Sequence, residues 1–179
     1  AYAAKVYKKR EQRLFKNNAA YRDGRSVRNT RSARAMEKGT RFGKKTAEDA
    51  WQKAEADALR SLHSAGVRVP QVYAHHEGVL VMELIVDEQG RPAPQLAQLQ
   101  LPAAQAEAVY DQLVGQVVLM LLADQVHGDF SPYNVLIGAQ GPVVIDLPQV
   151  VSASHNLKAC VLVERDIQSV ARYLGIFSP

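Results

Sequence analysis

The stretch from His127 to Asp146 constrains the fold of this chain more than any other, and it reads HGDFSPYNVLIGAQGPVVID. Gly128 and Pro132 are turn signals, which predict a loop at the start of the stretch. The apolar run VLI, the turn GAQG and the apolar run VVI then predict a two-stranded hairpin that ends on Asp146. The stretch therefore predicts a polar loop that leads directly into a buried hairpin.

Three polar side chains of this stretch could supply what phosphoryl transfer requires, which is a carboxylate near the acceptor and oxygen ligands for a divalent metal. Asn134 lies just before the first strand of the hairpin and Asp146 at the end of the second, so closing the hairpin brings an amide oxygen beside a carboxylate. Oxygen ligands of this kind suit Mg²⁺. Asp129, a little before Asn134, can then face an acceptor hydroxyl. His127 has no metal partner in the pattern, and we interpret it as a structural residue that orients the loop backbone.

Charge is distributed unevenly along the chain. Residues 1–50 contain 15 Lys or Arg against 5 Asp or Glu, a net charge of +10, whereas the whole chain carries +4. The excess defines a basic tract at residues 8–45. Five arginines recur there at a spacing of three: Arg22, Arg25, Arg28, Arg31 and Arg34. We favour a flexible loop that becomes ordered around phosphates or an anionic partner, and a solvated loop without a ligand is the alternative.

The remaining composition excludes several classes of protein. No apolar run is long enough to span a bilayer, and the first residues lack the ordered regions of a signal peptide. The single cysteine, Cys160, excludes an internal disulfide and is predicted to be a small buried residue at the start of a helix. We therefore expect a soluble, cytoplasmic protein with no membrane partner.

Lys5 and Glu55 are the two unusual charges of the N-terminal half. Residues 2–7 are predicted to form a strand in which Lys5 stands among apolar side chains, where a lysine is costly without a partner. A helix is predicted from an N-cap at Thr46 to a stop at Gly66. Its apolar stripe consists of Trp51, Ala54, Ala58, Leu59 and Leu62. Glu55 lies on the same side, so it has either a buried partner or a place on the solvent flank of the stripe.

The rest of the chain alternates irregularly between strands and helices. Strands are predicted at residues 67–74 and 78–85, and the polar, Gly- and Pro-containing segment 86–95 indicates a boundary between two lobes. A long helix is predicted from Pro102 to about Ala123. Its buried stripe is predicted to be Val109, Leu113, Val117, Met120 and Leu121. Because parallel strands do not alternate regularly with helices, the pattern favours an α+β architecture.

The sequences HGDFSPYNVLI and VVIDLPQ resemble the catalytic and metal-binding loops of the RIO family of atypical serine protein kinases. Similarity extends to AAKVY, WQKAEADALRSLHSAGVRVPQV, VLVMELI and GRPAPQL. The resemblance implies a two-lobed protein-kinase-like fold with an N-lobe at residues 1–85 and a C-lobe at 86–179. The C-lobe would hold a catalytic loop at 127–134, a metal loop at 143–149 and a C-terminal helix. No glycine-rich phosphate loop is found, so we expect an N-lobe truncated at its start.

The resemblance also implies how this chain would bind a nucleotide. It identifies Lys5 as the phosphate-binding lysine and Glu55 as its partner, which turns the two unusual charges into one ion pair. Met82 would line the adenine pocket, and the backbone of Glu83 and Ile85 would meet the base. The expected cofactors are ATP and Mg²⁺ or Mn²⁺. Composition rich in Ala, Gln and Leu favours a bacterial member.

For catalysis the resemblance implies ATP-dependent phosphoryl transfer to serine, including autophosphorylation. Asp129 would accept or steer the hydroxyl proton, and Asn134 and Asp146 would hold the metal, with Asp146 also counted as catalytic. Ser131 would take part in cofactor binding, and its presence favours this family over small-molecule kinases.

Three alternatives stay open at this point. The first is an ATPase-type switch in which Asp146 itself is transiently phosphorylated. The second is an aminoglycoside- or choline-type kinase, since those enzymes share an HGD-x-x-x-x-N loop. The third is a nucleic-acid-binding module built on the basic tract, which could contact RNA or a ribosomal particle. The chain lacks the activation-segment and substrate-binding elements of ordinary protein kinases, so the identity of a protein substrate stays unknown.

Overall fold

The structure is a computed structural model that describes residues 1–7 and 41–176, with the side chains of the second range described from Lys53 onward. Residues 8–40, most of the basic tract, lie outside the described residues, and so does the side chain of Trp51. The predictions made for them therefore stay predictions.

A three-stranded antiparallel sheet forms the N-terminal part of the described chain. Its strands are β1 (Tyr2–Val6), β2 (Val72–His76) and β3 (Val79–Glu83), and β3 lies between the other two. In the β1–β3 ladder, Lys5 stands opposite Leu80, which is fully buried. The predicted strand around Lys5 is therefore confirmed, and the sheet directs the lysine toward the remainder of the molecule.

The strand predicted at residues 67–74 is wrong over its first half. Val67 and Val69 are buried, which explains their alternation with polar residues, but β2 begins only at Val72. Pro70 has no N–H to give to a strand ladder. The backbone of Arg68 is already hydrogen-bonded to other elements: its amide donates to Gln116 Oε1 at 2.6 Å and its carbonyl accepts from the amide of Val144 at 2.9 Å.

Helix α1 spans Arg41–Ser64, so it begins before the predicted N-cap at Thr46. Residues 41–45, predicted as part of the flexible loop, are helical instead. Arg and Lys are good helix formers and Thr carries a small penalty, so a capping signature does not prevent a helix from extending past it. The predicted stop is correct. Gly66 takes a left-handed φ of 84°, and the amide of Val67 donates to the carbonyl of Leu62 at 3.0 Å.

Besides 3₁₀ helices at Leu96–Gln98 and Pro132–Asn134, the described C-terminal part contains two α-helices and two small antiparallel sheets. The helices are α2 (Ala103–Leu122) and α3 (Ala159–Tyr173). The sheets pair β4 (Gln125–Val126) with β7 (Val151–Ser152) and β5 (Val135–Gly138) with β6 (Gly141–Val144). The predicted hairpin is thus confirmed as β5–β6, although Asp146 lies two residues beyond its second strand.

The buried stripe of α2 follows the prediction with one exception. Leu113, Val117 and Met120 are buried and Val109 packs against the core, but Leu121 is 38% exposed. Consecutive residues of an α-helix point about 100° apart, so Leu121 cannot share the inward direction of Met120. Leu121 was therefore wrongly assigned to the stripe.

Cys160 was also wrongly predicted to be buried. It is exposed near the start of α3, although its neighbour Ala159 is buried. The inward face of α3 is instead formed by Ala159, Leu162, Asp166 and Val170, which recur at helical spacing.

One buried cluster joins residues on both sides of the predicted lobe boundary at residues 85 and 86. It includes Leu59, Leu62, Val69, Leu80, Leu96, Leu113, Met120, Val135, Val144 and Leu147. The division into residues 1–85 and 86–179 stays a prediction, since this core does not separate there. Within the described ranges, none of the helices has the length and hydropathy needed to cross a membrane.

We expect the hairpin turn to depend on Gly141. Its φ is +104°, and an added Cβ would lie 2.5 Å from Gln112 Oε1. Gly141→Ala should lower the free energy of unfolding by about 1–3 kcal/mol, measured by urea unfolding. The matched control is Gly115→Ala in α2, where an added Cβ meets no atom within 4 Å and should stabilise the helix by about 0.5–1 kcal/mol. Equal effects of the two substitutions would contradict the strain.

Candidate active-site cleft

One cleft of about 360 Å³ lies between the three-stranded sheet and the β5–β6 hairpin. It brings together most of the predicted site residues, which come from distant parts of the chain. The predicted residues that line it are Lys5, Glu55, Met82, Glu83, Ile85, Asn134 and Asp146. Asp129 and Ser131 are not among its lining residues.

Lys5 forms the centre of a charge cluster in this cleft. Its Nζ donates to Glu55 Oε1 at 2.6 Å and to Asp146 Oδ1 at 2.5 Å. Glu55 is 1% exposed, and its second oxygen, Oε2, accepts from the Tyr7 hydroxyl at 2.6 Å. The open choice for Glu55 is therefore decided in favour of a buried partner. Tyr7 was missed by the sequence reasoning, although it lies two residues after Lys5, just beyond the end of β1.

The two carboxylates keep Lys5 charged. Burial alone would lower the pKa of Lys5, but the negative charges of Glu55 and Asp146 and their hydrogen bonds outweigh that effect and hold the pKa above its ordinary 10.5. A fixed positive charge at this position, with one partner buried and the other 44% exposed, can bind an anionic ligand. Asp146 is the partner that such a ligand could displace.

Asn134 and Asp146 have the oxygen atoms that a magnesium site requires. Asn134 donates its side-chain amide to the carbonyl of Asp129 at 2.8 Å, which leaves its Oδ1 as the side-chain atom that could accept a metal ion. The amide of Ile145 donates to the carbonyl of Asn134 at 2.9 Å and ties the two loops together. Asp146 itself has a φ of 63°, an unusual backbone conformation for a non-glycine residue.

Few protein ligands are available for a metal at this place. The described residues include no cluster of three or more His, Cys, Asp or Glu side chains able to hold an ion. One amide and one carboxylate fit Mg²⁺, which commonly completes its shell with phosphate oxygens and water. The donor set therefore fits a metal that arrives together with a phosphate ligand.

His127 joins the loop at residues 127–134 to the loop that carries Asp146. It is 3% exposed, its Nδ1 accepts from the amide of Asp129 at 3.2 Å, and its Nε2 lies 3.0 Å from the carbonyl of Ile145. Because a backbone N–H can only donate, Nδ1 carries no proton and Nε2 donates to Ile145. The interpretation of His127 as a residue that orients the loop agrees with these contacts.

We expect His127 to stay neutral in its Nε2–H form at pH 6.5. Burial lowers the pKa of its ring below the ordinary 6.5, despite the opposing effect of the hydrogen bond to Ile145. The contribution of the neutral ring to the free energy of unfolding should be fully present above pH 6.5. It should be lost as the pH falls through the lowered pKa. ¹⁵N NMR of the ring against a histidine peptide measures this, and a midpoint at or above 6.5 would contradict the expectation.

The backbone of the loop at residues 127–134 is also held by helix α3. Asp166, 3% exposed, accepts from the amide of Gly128 at 2.9 Å, and Arg165 donates both to Asp166 Oδ1 and to the carbonyl of Gly128. Burial raises the pKa of the Asp166 carboxyl, against the lowering effect of Arg165. Sequence reasoning missed both residues. A charged residue between Leu162 and Val170 on the apolar face was the available signal.

Asp129 is held beside the cleft by its neighbours rather than lining it. Gln149, in the loop after Asp146, donates its Nε2 to Asp129 Oδ2 at 3.2 Å. Ser131 lies in the same loop as Asp129, and its carbonyl accepts from the amide of Asn134 at 2.9 Å. A role for Ser131 in cofactor binding stays a prediction, since its observed contact is with the loop itself.

The end of β3 forms the opposite end of the cleft. The sheet ends at Glu83, whose amide donates to the carbonyl of Gln71 at 2.8 Å, so the strand predicted to reach residue 85 is too long. The carbonyl of Ile85 accepts instead from the amide of Ala93 at 2.9 Å. Met82, Glu83 and Ile85 all line the cleft, which agrees with an apolar pocket bounded by backbone polar groups.

Comparison with known proteins gives consistent matches across the chain. A family model described as the RIO domain matches residues 1–177. The RIO-type serine/threonine-protein kinase Rio1 of Thermoplasma acidophilum is 34% identical over 123 residues, which cover 69% of this chain and 62% of that protein. Rio1 of Haloferax volcanii is 36% identical over 126 residues, 69% of this chain and 41% of that protein. The chain thus spans less than two thirds of these relatives.

A solved structure supports the fold. The structure described as the Rio2 kinase-ADP/Mg²⁺-phosphoaspartate complex from Chaetomium thermophilum has a TM-score of 0.62, covering 95% of this chain and 47% of that chain. Sequence identity is 23%, so the similarity carries the fold alone. The predicted α+β, protein-kinase-like fold is therefore confirmed.

Proposed function

Because the chain belongs to the RIO domain family, we propose that it catalyses ATP-dependent phosphoryl transfer to a serine hydroxyl, including its own. The observation that carries this proposal is the position of Lys5, which bridges buried Glu55 and exposed Asp146 in one cleft. A lysine held by a buried glutamate and facing a metal-binding aspartate suits the phosphates of a nucleotide.

The proposed roles follow from the contacts of each residue. Lys5 would bind the α- and β-phosphates, with Glu55 and Tyr7 holding it in place. Asn134 and Asp146 would hold Mg²⁺ or Mn²⁺, which would neutralise phosphate charge when bound. Asp129 would steer or accept the proton of the acceptor hydroxyl. It is oriented by the hydrogen bond from Gln149 to its carboxylate and by the hydrogen bond from its backbone amide to His127.

The base of ATP would occupy the end of the cleft at β3. Met82 would line the adenine pocket and the backbone of Glu83 and Ile85 would meet its polar edge. Because the Glu83 amide is bonded to Gln71 and the Ile85 carbonyl to Ala93, we expect the Glu83 carbonyl and the Ile85 amide to make these contacts. Ser131 would support the cofactor indirectly through the loop that positions Asn134.

A second candidate is an ATPase-type switch in which Asp146 receives the phosphoryl group. The Rio2 kinase complex from Chaetomium thermophilum contains a phosphoaspartate together with ADP and Mg²⁺. In this chain Asp146 is 44% exposed and faces the cleft beside Lys5, so it is accessible to a γ-phosphate. Phosphorylation would replace its metal-ligand role for part of the cycle.

RNA or ribosomal contact through the basic tract and a cytoplasmic location stay proposals, supported by composition.

Incubation with [γ-³²P]ATP and Mg²⁺ tests the proposed function. We expect label on the protein or on an added protein substrate that survives acid, as phosphoserine does. Label removed by hydroxylamine would instead identify phospho-Asp146, and Asp146→Ala should abolish it. Omission of Mg²⁺ is the control. Absence of both labelling and ATP hydrolysis would overturn the proposal.

A further inference from the structure

Arg68 connects the two ends of the cleft, although it does not line the cleft itself. It lies in the segment between α1 and β2 and was not singled out by any sequence pattern. Its guanidinium forms a fork on the Glu83 carboxylate, with Nη1 3.3 Å from Oε2 and Nη2 3.2 Å from Oε1. Bidentate pairs of this kind fix orientation as well as distance.

The partner of this fork is itself immobilised at the base end of the cleft. Glu83 is the last residue of β3, and its Oε2 also accepts from the amide of Gln71 at 3.3 Å. In return, the Glu83 amide donates to the carbonyl of Gln71. The Arg68 side chain therefore binds the end of β3, where the backbone is proposed to contact the nucleotide base.

The backbone of the same arginine reaches the metal end. The carbonyl of Arg68 accepts from the amide of Val144 at 2.9 Å, and Val144 is the last residue of β6, two residues before Asp146. The amide of Arg68 donates to Gln116 Oε1 of α2 at 2.6 Å. One residue thus joins the end of β3, the end of β6 and the middle of α2.

We propose that Arg68 is a positioning residue that sets the separation between the base end and the metal end of the cleft. A nucleoside triphosphate must engage both ends at once, so its affinity depends on that separation. The affinity for either half of the ligand alone does not depend on that separation. This inference rests on the proposed function, since it assumes that the cleft takes a nucleotide with its base at Glu83 and its phosphates at Lys5 and Asp146.

The physical basis is the gain from linking two binding events. When two halves of a ligand are joined, the second half binds at a high effective concentration only if the two subsites have the matching separation. Loss of the Glu83 fork would leave the Arg68 backbone bonds to Gln116 and Val144 intact. The metal end would keep its structure, while the base end would lose its fixed distance from it.

Binding of three ligands to Arg68→Met tests this directly by calorimetry. We expect adenosine and Mg²⁺-tripolyphosphate to bind within about twofold of the wild-type affinity, and Mg²⁺-ATP to bind about tenfold more weakly. Arg68→Lys keeps the charge without the fork and should recover part of the loss. Glu83→Gln should reproduce the weaker ATP binding, because a neutral amide cannot accept both arms of the fork.

Arg60→Met is the matched control. Arg60 also pairs with a carboxylate, Asp57, but both side chains are about half exposed on α1, and all three affinities should be unchanged. Unchanged ATP binding in Arg68→Met would overturn the role of Arg68, and so would an equal loss for adenosine alone, which would confine its effect to the base end. A wild-type chain that binds none of the three ligands would overturn the proposed function instead.

Discussion

Asp129→Asn should lower the rate of phosphoryl transfer by about 10²–10⁴-fold, because an amide cannot accept the proton of the acceptor hydroxyl. The substitution keeps the backbone hydrogen bonds of residue 129: its amide donates to His127 Nδ1, and its carbonyl accepts from Asn134 Nδ2. Affinity for Mg²⁺-ATP should stay within about twofold of wild type, since Asp129 is not among the residues that line the cleft. Single-turnover kinetics measures the rate separately from binding.

The matched control is Asp111→Asn, an exposed residue of α2, which should react at the wild-type rate. A wild-type rate in Asp129→Asn would remove the residue from the mechanism. Loss of Mg²⁺-ATP affinity in that variant would show instead that Asp129 acts through the loop it shares with Asn134. Gln149→Leu should cause a smaller decrease in rate, because it removes only the amide that donates to Asp129 Oδ2.

Glu55→Ala should both destabilise the protein and lower its turnover. Lys5 would lose its buried partner and the Tyr7 hydroxyl its acceptor, and the freed ammonium would interact with Asp146 alone. We expect a loss of about 3 kcal/mol, the low end for breaking a buried ion pair, because Lys5 is 30% exposed and keeps Asp146. Turnover should fall by about 10²-fold, since a misplaced lysine no longer aligns the phosphates. Urea unfolding and ATP turnover measure the two effects.

Asp57→Ala is the control on the same helix. Asp57 is exposed and pairs with Arg60, so its removal should change stability by less than about 1 kcal/mol and leave turnover unchanged. Glu55→Gln keeps the volume and one acceptor, and should therefore be more stable than Glu55→Ala while remaining slow. Wild-type stability and turnover in Glu55→Ala would refute the coupling between the two charges.

The pH dependence of this ion pair follows from the direction of the Lys5 shift. Its pKa lies above the ordinary 10.5, so the folded state binds the proton more tightly than the unfolded state does. The contribution of the pair is complete below pH 10.5 and is lost as the pH rises through the raised pKa. Measurements near neutral pH therefore start from a wild-type protein in which Lys5 is fully charged.

Local patterns predicted the parts of the site that are adjacent in sequence. Turn signals and two apolar runs predicted the loop at residues 127–134 and the β5–β6 hairpin, because strand pairing across a short turn depends on neighbouring residues. The helix around Glu55 was likewise recognisable from its periodicity, and the strand around Lys5 from its β-branched and aromatic residues. Their pairing was implied only by the family resemblance, since the pattern of the helix left two environments for Glu55.

Local patterns failed where a residue's partner is distant. Val67 and Val69 alternate with polar residues as in a strand, but the backbone of Arg68 is bonded to Gln116 and Val144 instead. Asp166 interrupts the apolar face of its helix, but its spacing does not reveal that the buried carboxylate holds the Gly128 amide. In each case the hydrogen-bond requirement of a buried group selected a partner that no spacing rule contains.

By itself the sequence determined the chemistry available to this protein: an amide and a carboxylate flanking a hairpin, a second aspartate in the preceding loop, and a lysine in a strand. Those features depend on residue type and short-range backbone geometry. The tertiary structure decided which of them meet, because Lys5 contacts Glu55, 50 residues away, and Asp146, 141 residues away. Only burial of the shared core brings such distant charges into hydrogen-bonding contact, and the buried Glu55 carboxylate must be paired there to offset its loss of hydration.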